Sequence, residues 1–345
     1  MREPFQSPAT PVIPDHQLLR CIGHGSYGEI WLARNILGTY RAVKIVYRAQ
    51  FDTERPYERE FTGIQESEPI SRSHPGLLDI LQIGRNDEAG YFYCVMELAD
   101  DEAGGTTFHP DRYSAKTLSK ELAARGRLPA AEALLLGQNL ASALAHMHGH
   151  GLVHRDIKPS NIIFVDGQPK LADIGLVALV TAAQTYVGTE GYIPPEGPGS
   201  IRADIYSLGK VLYEMSTGHD RLLFPTLPGN LPHFPDAELV VELNEVIVKA
   251  CANLPSARYA GADDFRSDLQ MLVVGRSVRR LRFVERQLKR AKGFAIVASM
   301  LALAAIIFGS IVTASRARER KLVAHSYLTG STRLMEEGNL HGALP

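Results

Sequence analysis

The sequence predicts an α+β protein with a strand-rich N-lobe and a helical C-lobe, followed by a single transmembrane helix. Strand-like runs separated by turn residues fill the part of the chain before residue 100. Helical periodicity replaces them after residue 115. An uncharged apolar run covers residues 293–313. The chain of 345 residues is long enough for both lobes and the helix.

The elements follow from local signals along the chain. Residues 54–68 have a helical pattern, and a second helix follows Pro129 and ends at Gly149 and Gly151. The predicted strands alternate apolar and polar residues or are fully apolar, and they lie within residues 18–23, 29–35, 40–47, 77–86 and 91–99. Residues 1–16 contain four prolines and are predicted to be a flexible leader.

Residues 293–313 are predicted to span a membrane. Twenty-one uncharged residues make a helix of roughly 31 Å, which matches the hydrocarbon thickness of a bilayer. The basic segment 276–292 precedes it with eight Lys or Arg and one Glu, whereas five Lys or Arg occur in the 20 residues after it. This bias places the N-terminal side in the cytoplasm. A buried helix of a globular core is the disfavoured alternative, because such helices rarely stay uncharged for this length.

Composition excludes several classes of protein. The formal net charge is −1, and the positive charge is local, so no overall basic field for nucleic acid exists. The three cysteines are far apart, which predicts neither a disulfide framework nor a metal site and favours a reducing compartment. The first 25 residues lack the apolar region of a signal peptide.

A glycine-rich turn is the first chemical motif. Gly23, Gly25 and Gly28 form a GxGxxG pattern that lets backbone N–H groups approach phosphates. The same glycines open dinucleotide-binding folds, but there a helix follows, whereas residues 29–35 alternate like a strand. Lys44 on the next strand is predicted to hold phosphate oxygens. Its buried ammonium needs an anionic partner, for which we favour Glu60 over Glu66.

Residues 154–161 read HRDIKPSN, and with them the sequence resembles the protein kinase superfamily, specifically bacterial Ser/Thr kinases of the eukaryotic type. The resemblance covers about residues 17–275 and implies the two-lobed protein kinase fold. Further motifs in the expected order are Asp173-Ile174-Gly175, Pro194-Pro195-Glu196, Asp204 and Arg258.

The resemblance implies ATP and Mg²⁺ as cofactors, with Mn²⁺ as an alternative ion. Asp156 then accepts or orients the substrate hydroxyl proton, and Lys158 and Lys44 neutralise phosphoryl charge. Asn161 and Asp173 are the implied metal ligands, since Mg²⁺ prefers such oxygens. The implied nucleotide-binding residues are Ile22, Gly23, Gly25, Ser26, Gly28, Ile30, Ala42, Lys44, Glu60, Met96, Glu97 and Ala99.

Within that set, Ile22 and Ala42 are expected to sandwich adenine, Met96 to guard the back of the pocket, and residues 97–99 to bind the base through backbone groups. Asp204 and Arg258 are expected to be structural: Asp204 ties down the catalytic loop and Arg258 pairs with Glu196. His154 is expected to be a packed residue that supports that loop.

Other positions distinguish this chain within the family. Lys158 and Thr189 match the Ser/Thr branch, whereas Ile174 replaces the family phenylalanine, which predicts altered regulation. Residues 100–111 are predicted to be an inserted surface loop. His146, His148 and His150 are predicted to lie on a solvated helix end rather than in a metal site. Phosphate on Thr181 or Thr185 is expected to pair with Arg155.

The sequence therefore predicts a membrane-anchored Ser/Thr protein kinase that phosphorylates itself and other proteins. A pseudokinase scaffold is the first alternative, disfavoured because Lys44, Asp156 and Asp173 are all present. A small-molecule phosphotransferase is the second. Expected partners are protein substrates, ATP and anionic lipid of the inner leaflet, with a homodimer left open by small residues along the span. Residues 314–345 are predicted to be an extracytoplasmic tail that resembles the start of a truncated repeat domain, with a short, amphipathic and mostly disordered tail as the alternative.

Overall fold

The computed structural model describes residues 11–25, 28–104, 109–173, 178–179, 189–275 and 278–336. The chain divides into two units, Met1–Arg279 and Arg280–Pro345. The first unit contains a five-stranded sheet followed by a mainly helical part, which agrees with the predicted two-lobed α+β architecture. The second unit consists of a long helix.

The N-lobe is an antiparallel sheet with the strand order β1-β2-β3-β5-β4, so β1 and β4 are its edges. β3 and β5 lie at the centre, and all six residues of β5 are buried, as is typical of a strand covered on both faces. The bounds are β1 His16–Gly25, β2 Gly28–Asn35, β3 Tyr40–Tyr47, β4 Ile80–Asn86 and β5 Tyr91–Met96.

Helix α1, Glu54–Ser71, lies between β3 and β4 in sequence and packs on the sheet. Tyr57 and Ile64, one face of the helix, are fully buried. The ring of Tyr57 lies 5.1 Å from that of Phe92 on β5. This packing is what aims Glu60, on the same buried side of the helix, toward the sheet.

The C-lobe is built around α3 and α4. Pro129 caps α3 at the start of its apolar face, and Gly218 ends α4 in the left-handed conformation with φ 72°. Ser200 caps α4 by accepting the N–H of Ala203. The helices are α2 Leu118–Arg125, α3 Ala130–Gly149, α4 Ile201–Thr217, α5 Ala237–Ala250 and α6 Ala262–Val273.

Short strands after α3 position the catalytic loop, residues 154–161. β6, Leu152–Val153, pairs with β9, Ala178–Leu179. β7, Ile162–Val165, forms a hairpin with β8, Gln168–Leu171. The catalytic loop lies between β6 and β7, and Asp173 follows β8 by two residues. The ends of these strands thus bring the predicted catalytic and metal residues to one edge of the C-lobe.

The end of the predicted leader differs from the expectation that all of residues 1–16 are flexible. Ile13 is buried with Val43 and Tyr91 against the outer face of the sheet. The Tyr91 hydroxyl also donates to the carbonyl of Val12 at 2.9 Å. Ile13, which lies between two prolines, packs into this apolar cluster, so the folded lobe begins before residue 17.

The second unit is a continuous helix, α7, Val278–Glu336. By length and composition, Ala298–Arg333 is able to cross a membrane, with a mean hydropathy of 2.0 in its most apolar window. The predicted basic segment 276–292, span 293–313 and tail 314–345 all contribute residues to α7. The predicted repeat turn near residue 338 lies outside the described residues.

Candidate active site

A cavity of about 510 Å³ lies between the sheet and the catalytic loop. The structure brings most of the predicted nucleotide and metal residues to its walls: Ile22, Gly25, Ile30, Ala42, Lys44, Met96, Glu97, Ala99, Asn161 and Asp173. Lys158 also lines it. Residues from both lobes therefore converge on one concave site of the size that small ligands occupy.

Four predicted residues reach the site without lining the cavity. Glu60 lies behind Lys44, and Asp156 lies behind Lys158. Gly23 packs beside Ile30, and Gly28 closes the β1–β2 hairpin opposite Gly25. A Cβ on Gly28 would lie 2.2 Å from the carbonyl oxygen of Ile45, so only glycine permits this close approach of the backbones.

Lys44 joins the two lobes through a buried ion cluster. Its Nζ lies 2.8 Å from Oδ1 of Asp173 and 3.4 Å from Oε1 of Glu60. The structure thus brings Glu60 to Lys44, as favoured over Glu66. Burial opposes the charge of Lys44, but the carboxylates of Asp173 and Glu60 outweigh it and raise the pKa of the lysine.

Within this cluster the pKa values of the two carboxylates shift in opposite directions. The Lys44 ammonium outweighs burial and lowers the pKa of Asp173, which keeps that carboxylate ionised. Burial raises the pKa of Glu60 to about 6, and Lys44 only partly offsets it. Asp173 therefore carries the more firmly held negative charge, as a metal ligand requires.

The catalytic loop forms a second network below the cavity. Lys158 Nζ lies 2.7 Å from Oδ2 of Asp156 and donates to Oγ1 of Thr189 at 2.9 Å. Thr189 in turn donates to Oδ1 of Asp156 at 3.0 Å. The Asn161 amide donates to the backbone oxygen and to Oδ2 of Asp156, at 2.9 and 3.0 Å. Both carboxylate oxygens of Asp156 are thus held in place.

Asp204 on α4 supports this loop from below. Its Oδ2 accepts the backbone N–H of His154 at 2.8 Å, and its Oδ1 accepts that of Arg155 at 2.9 Å. These bonds hold Arg155 at a φ of 73°. His154 is fully buried and contacts the carbonyl of Ala172 through Nε2 at 3.1 Å. Both contacts agree with the supporting positions expected for these residues.

The prediction that His148 lies on a solvated helix end is wrong. Its Nε2 lies 3.0 Å from Oδ2 of Asp204, and its side chain is buried. The cause is a partner on α4, 56 residues further along the chain, which no local pattern indicates. His146 instead stacks on His150, with 4.7 Å between the ring centroids.

Arg258 and Glu196 form the expected ion pair. Two guanidinium nitrogens of Arg258 donate to the two carboxylate oxygens of Glu196, at 2.5 and 2.8 Å. Arg258 also donates to the backbone carbonyls of Arg202, Ala252 and Asn253. This buried fork joins the start of α4 to the segment between α5 and α6.

The donor set at Asn161 and Asp173 fits Mg²⁺. Both residues line the cavity, and the Asn161 amide nitrogen points to Asp156, which turns its oxygen away from that residue. One neutral and one ionised oxygen ligand suit an ion that takes its remaining ligands from phosphates and water. Within the described residues, no cluster of three or more His, Cys, Asp or Glu side chains is arranged to hold a metal.

Several cavity residues were not predicted. Cys94 lies two residues from the predicted Met96 on the same face of β5, so strand alternation would have indicated it, whereas Ile163 lies on β7. Burial raises the pKa of the Cys94 thiol to about 11. Other unpredicted lining residues come from distant parts of the chain, and those at the mouth of the cavity include Arg20, Tyr113, Ser114, Thr117 and Lys120.

Some predicted positions lie outside the described residues. These are Ser26 of the glycine-rich turn, Ile174 and Gly175 after the metal carboxylate, and the candidate phosphorylation sites Thr181, Thr185 and Tyr186. The expectation for Arg155 and a phosphothreonine therefore stays a prediction.

Comparison with known proteins agrees with this geometry. A family model described as the protein kinase domain matches residues 16–231. The chain belongs to the protein kinase family. The matched residues include the glycine-rich turn, Lys44, the catalytic loop and Asp173, so the conserved kinase elements and the cavity described above are the same part of the chain.

Relatives of this kinase-family chain include bacterial serine/threonine-protein kinases. It is 28% identical over 280 residues to the serine/threonine-protein kinase PrkC of Bacillus subtilis, covering 74% of this chain and 40% of PrkC. It is 31% identical over 290 residues to the serine/threonine-protein kinase PknA of Mycobacterium tuberculosis, covering 76% of this chain and 62% of PknA. The chain thus spans less than two thirds of the length of either relative.

Proposed function

We propose that the chain is an ATP-dependent serine/threonine protein kinase that also phosphorylates itself. The observation that carries this proposal is the Lys44–Asp173 contact of 2.8 Å, with Glu60 behind it and the Asp156–Lys158–Thr189 network on the opposite side of the same cavity. Every charged group that phosphoryl transfer requires from the protein is present and paired. This completeness disfavours a pseudokinase scaffold.

In the proposed phosphoryl transfer, each catalytic side chain has a separate role. The oxygen of a substrate Ser or Thr hydroxyl forms a bond to the γ-phosphorus of ATP, while the bond to the β,γ-bridging oxygen breaks and ADP leaves. Asp156 orients the hydroxyl and receives its proton. Lys158 and Lys44 hold phosphate oxygens, and a bound Mg²⁺ on Asn161 and Asp173 supplies further positive charge.

The adenine site follows from the walls of the cavity. Ile22 and Ala42 cover the base from the sheet, and Ile163 supports it from the C-lobe. We assign its hydrogen bonds to the backbone of residues 97–99. The N–H of Glu97 already donates to the carbonyl of Asp79 at 3.2 Å, and the carbonyl of Ala99 accepts the Tyr113 hydroxyl at 3.0 Å. We therefore assign the hydrogen bonds with adenine to the carbonyl of Glu97 and the N–H of Ala99.

A phosphotransfer assay on the full chain in detergent tests the proposal. With radiolabelled ATP and Mg²⁺, the wild-type chain should label itself and a generic protein substrate on Ser and Thr. Asp156→Asn and Asp173→Asn should abolish most labelling while the chain still folds and melts cooperatively. Exchange of Mg²⁺ for Mn²⁺ tests the second ion. Labelling by Asp156→Asn at the wild-type rate would contradict the assigned role.

Membrane anchoring is the second part of the proposal, and it rests on α7. The apolar part of this helix has the length and composition of a membrane span, and basic residues are more numerous before it than after it. We propose that the kinase unit faces the cytoplasm, with residues 276–292 near anionic lipid. Protease should digest the kinase unit in inside-out vesicles, and its protection there would contradict this orientation.

Self-association remains a narrower proposal. Ala298, Ala302, Ala305 and Gly309 form a stripe of small residues along α7, which would let two helices approach closely. Ile at both Ala302 and Ala305 should weaken self-association in a membrane reporter assay, whereas Ile at Leu303 serves as the control. An unchanged signal would mean that these alanines are ordinary apolar residues of the span.

A further inference from the structure

The segment after Ala99 is folded rather than a plain surface insertion. In its described parts, 100–104 and 109–117, Asp101 pairs with Ala115 as an antiparallel bridge. The N–H of Glu102 donates to the carbonyl of Ser114 at 2.7 Å, and that of Lys116 to the carbonyl of Asp100 at 2.8 Å. We call residues 100–104 and 109–117, which follow the predicted adenine-binding residues 97–99, the post-hinge loop. Because the two ends of the loop are hydrogen-bonded to each other, the loop is a fixed part of the C-lobe side of the cavity.

Tyr113 anchors this loop beneath the cavity mouth. Its side chain is only 3% exposed, and its hydroxyl donates to the carbonyl of Ala99. The next residue, Ser114, donates its N–H to the Asp101 carboxylate at 2.9 Å. The backbone carbonyl of Tyr113 is thereby held at a defined place beside the cavity.

Arg20 on β1 reaches this carbonyl from the other lobe. Its Nη2 donates to the carbonyl of Tyr113 at 2.5 Å, and its Nε donates to that of Pro110 at 3.3 Å. The two bonds use the fixed fork of the guanidinium group and cross the mouth of the cavity. A lysine or glutamine could make one of these bonds but not reproduce the fork.

β1 is weakly held by its pairing with β2, so a contact with the post-hinge loop would stabilise it. Among the described strands it is an edge strand paired with β2, and its register is irregular on both sides of Arg20 and Cys21. Ile22 and Gly25, which line the cavity, lie further along this strand. An edge strand with an interrupted ladder opens more readily than a central one.

We propose that Arg20 is a positioning residue that ties β1 to the post-hinge loop and so holds Ile22 and the glycine-rich turn over the bound nucleotide. The inference rests on the proposed function, because it assigns the nucleotide to this cavity. Arg20 acts through β1: both of its donors named above are engaged by backbone carbonyls, and the phosphate-binding Lys44 lies deeper in the cleft.

Steady-state kinetics of the full chain in detergent test the proposal. Arg20→Ala should raise the KM for ATP about three- to tenfold, the effect of losing one or two hydrogen bonds, with kcat within about twofold of wild type. Arg20→Lys should recover part of the loss. Arg34→Ala removes an exposed arginine from neighbouring β2 and is the matched control, for which no change is expected.

Hydrogen exchange of the nucleotide-free chain gives a readout that does not depend on phosphotransfer. Amides of residues 17–25 should exchange faster in Arg20→Ala and in the milder Arg20→Gln than in Arg34→Ala. Unchanged exchange and unchanged KM would overturn the inference while leaving the kinase proposal intact. If the wild-type chain transferred no phosphate, binding of ADP measured by calorimetry would replace KM, and an unchanged Kd in Arg20→Ala would overturn the inference.

Discussion

The hydroxyl of Thr189 donates to Oδ1 of Asp156 at 3.0 Å and accepts a hydrogen bond from Lys158 at 2.9 Å. A residue 33 positions beyond the catalytic aspartate thus completes its surroundings. The hydroxyl therefore joins the chain at Thr189 to the catalytic loop.

The first prediction concerns this hydroxyl. Thr189→Val keeps the shape of the side chain and removes both hydrogen bonds, so kcat should fall about ten- to 100-fold, as for loss of a positioning contact in an active site. Thr189→Ser keeps the hydroxyl and is the matched control, with activity expected near wild type. Equal activity of the valine and serine variants would show that the hydroxyl does not position Asp156.

The second prediction concerns the charge behind Lys44. Glu60→Gln keeps the size of the side chain but removes one of the two carboxylates that face the ammonium. Lys44 should then be held less firmly, and kcat/KM for ATP should fall about ten- to 100-fold. Glu66→Gln, one turn and a half along α1, is the control. A larger loss in the Glu66 variant would reverse the assignment of the lysine's partner.

The third prediction concerns the support of the catalytic loop. Asp204→Asn places an amide N–H against the backbone donors of His154 or Arg155, in a fully buried site. The free energy of unfolding should fall by about 3 kcal/mol, because a buried hydrogen-bonded charge is lost. Denaturant titration of the chain in detergent measures this. The exposed Asp264→Asn on α6 should have no effect, and a similar loss there would indicate a general charge effect.

The fourth prediction concerns pH. Nδ1 of His74 accepts the N–H of Gly76 at 3.0 Å, so this nitrogen carries no proton in the fold. Burial, with smaller contributions from His146 and Arg266, lowers the pKa of His74 below its ordinary value of 6.5. The unfolded chain then binds the proton more tightly, so stability is retained above pH 6.5 and falls as the pH drops below it.

Melting temperatures between pH 7.5 and 5.5 check this sign. The decrease on acidification should be smaller in His74→Gln than in wild type, although its melting temperature at pH 7.5 should also be lower. His233→Gln removes an exposed histidine and should leave the pH dependence unchanged. An undiminished acid decrease in His74→Gln would exclude this histidine as its source.

Local signals predicted the elements, and contacts between distant residues explain what was missed. The alternation in β1 to β5 and the proline and glycines around α3 are patterns of neighbouring residues. The sequence alone was therefore enough to predict these elements. The partner of Lys44 was favoured correctly because helical periodicity puts Glu60 on the side of Ile64. His148 was placed wrongly because its partner, Asp204, belongs to another helix.

The same reasoning explains the rest of the site. Arg20 bonds to carbonyls about 90 residues away, and backbone carbonyls carry no sequence signal. Ile13 lay in a proline-rich stretch, and only the apolar face of the completed sheet shows why it is buried. Family resemblance supplied the chemical roles, whereas the side chains at the cavity mouth depend on a loop that the sequence indicated only as a surface insertion.

Burial of two of the three cysteines has a practical consequence. Cys94 on β5 and Cys251 after α5 lie one in each lobe, and burial raises the pKa of their thiols to about 11 and about 12. Neither thiol can be alkylated until its lobe opens, whereas Cys21 is partly accessible in the folded chain. The rates at which a thiol reagent modifies Cys94 and Cys251 therefore time the opening of each lobe separately, and nucleotide should slow the reaction at the cavity-lining Cys94.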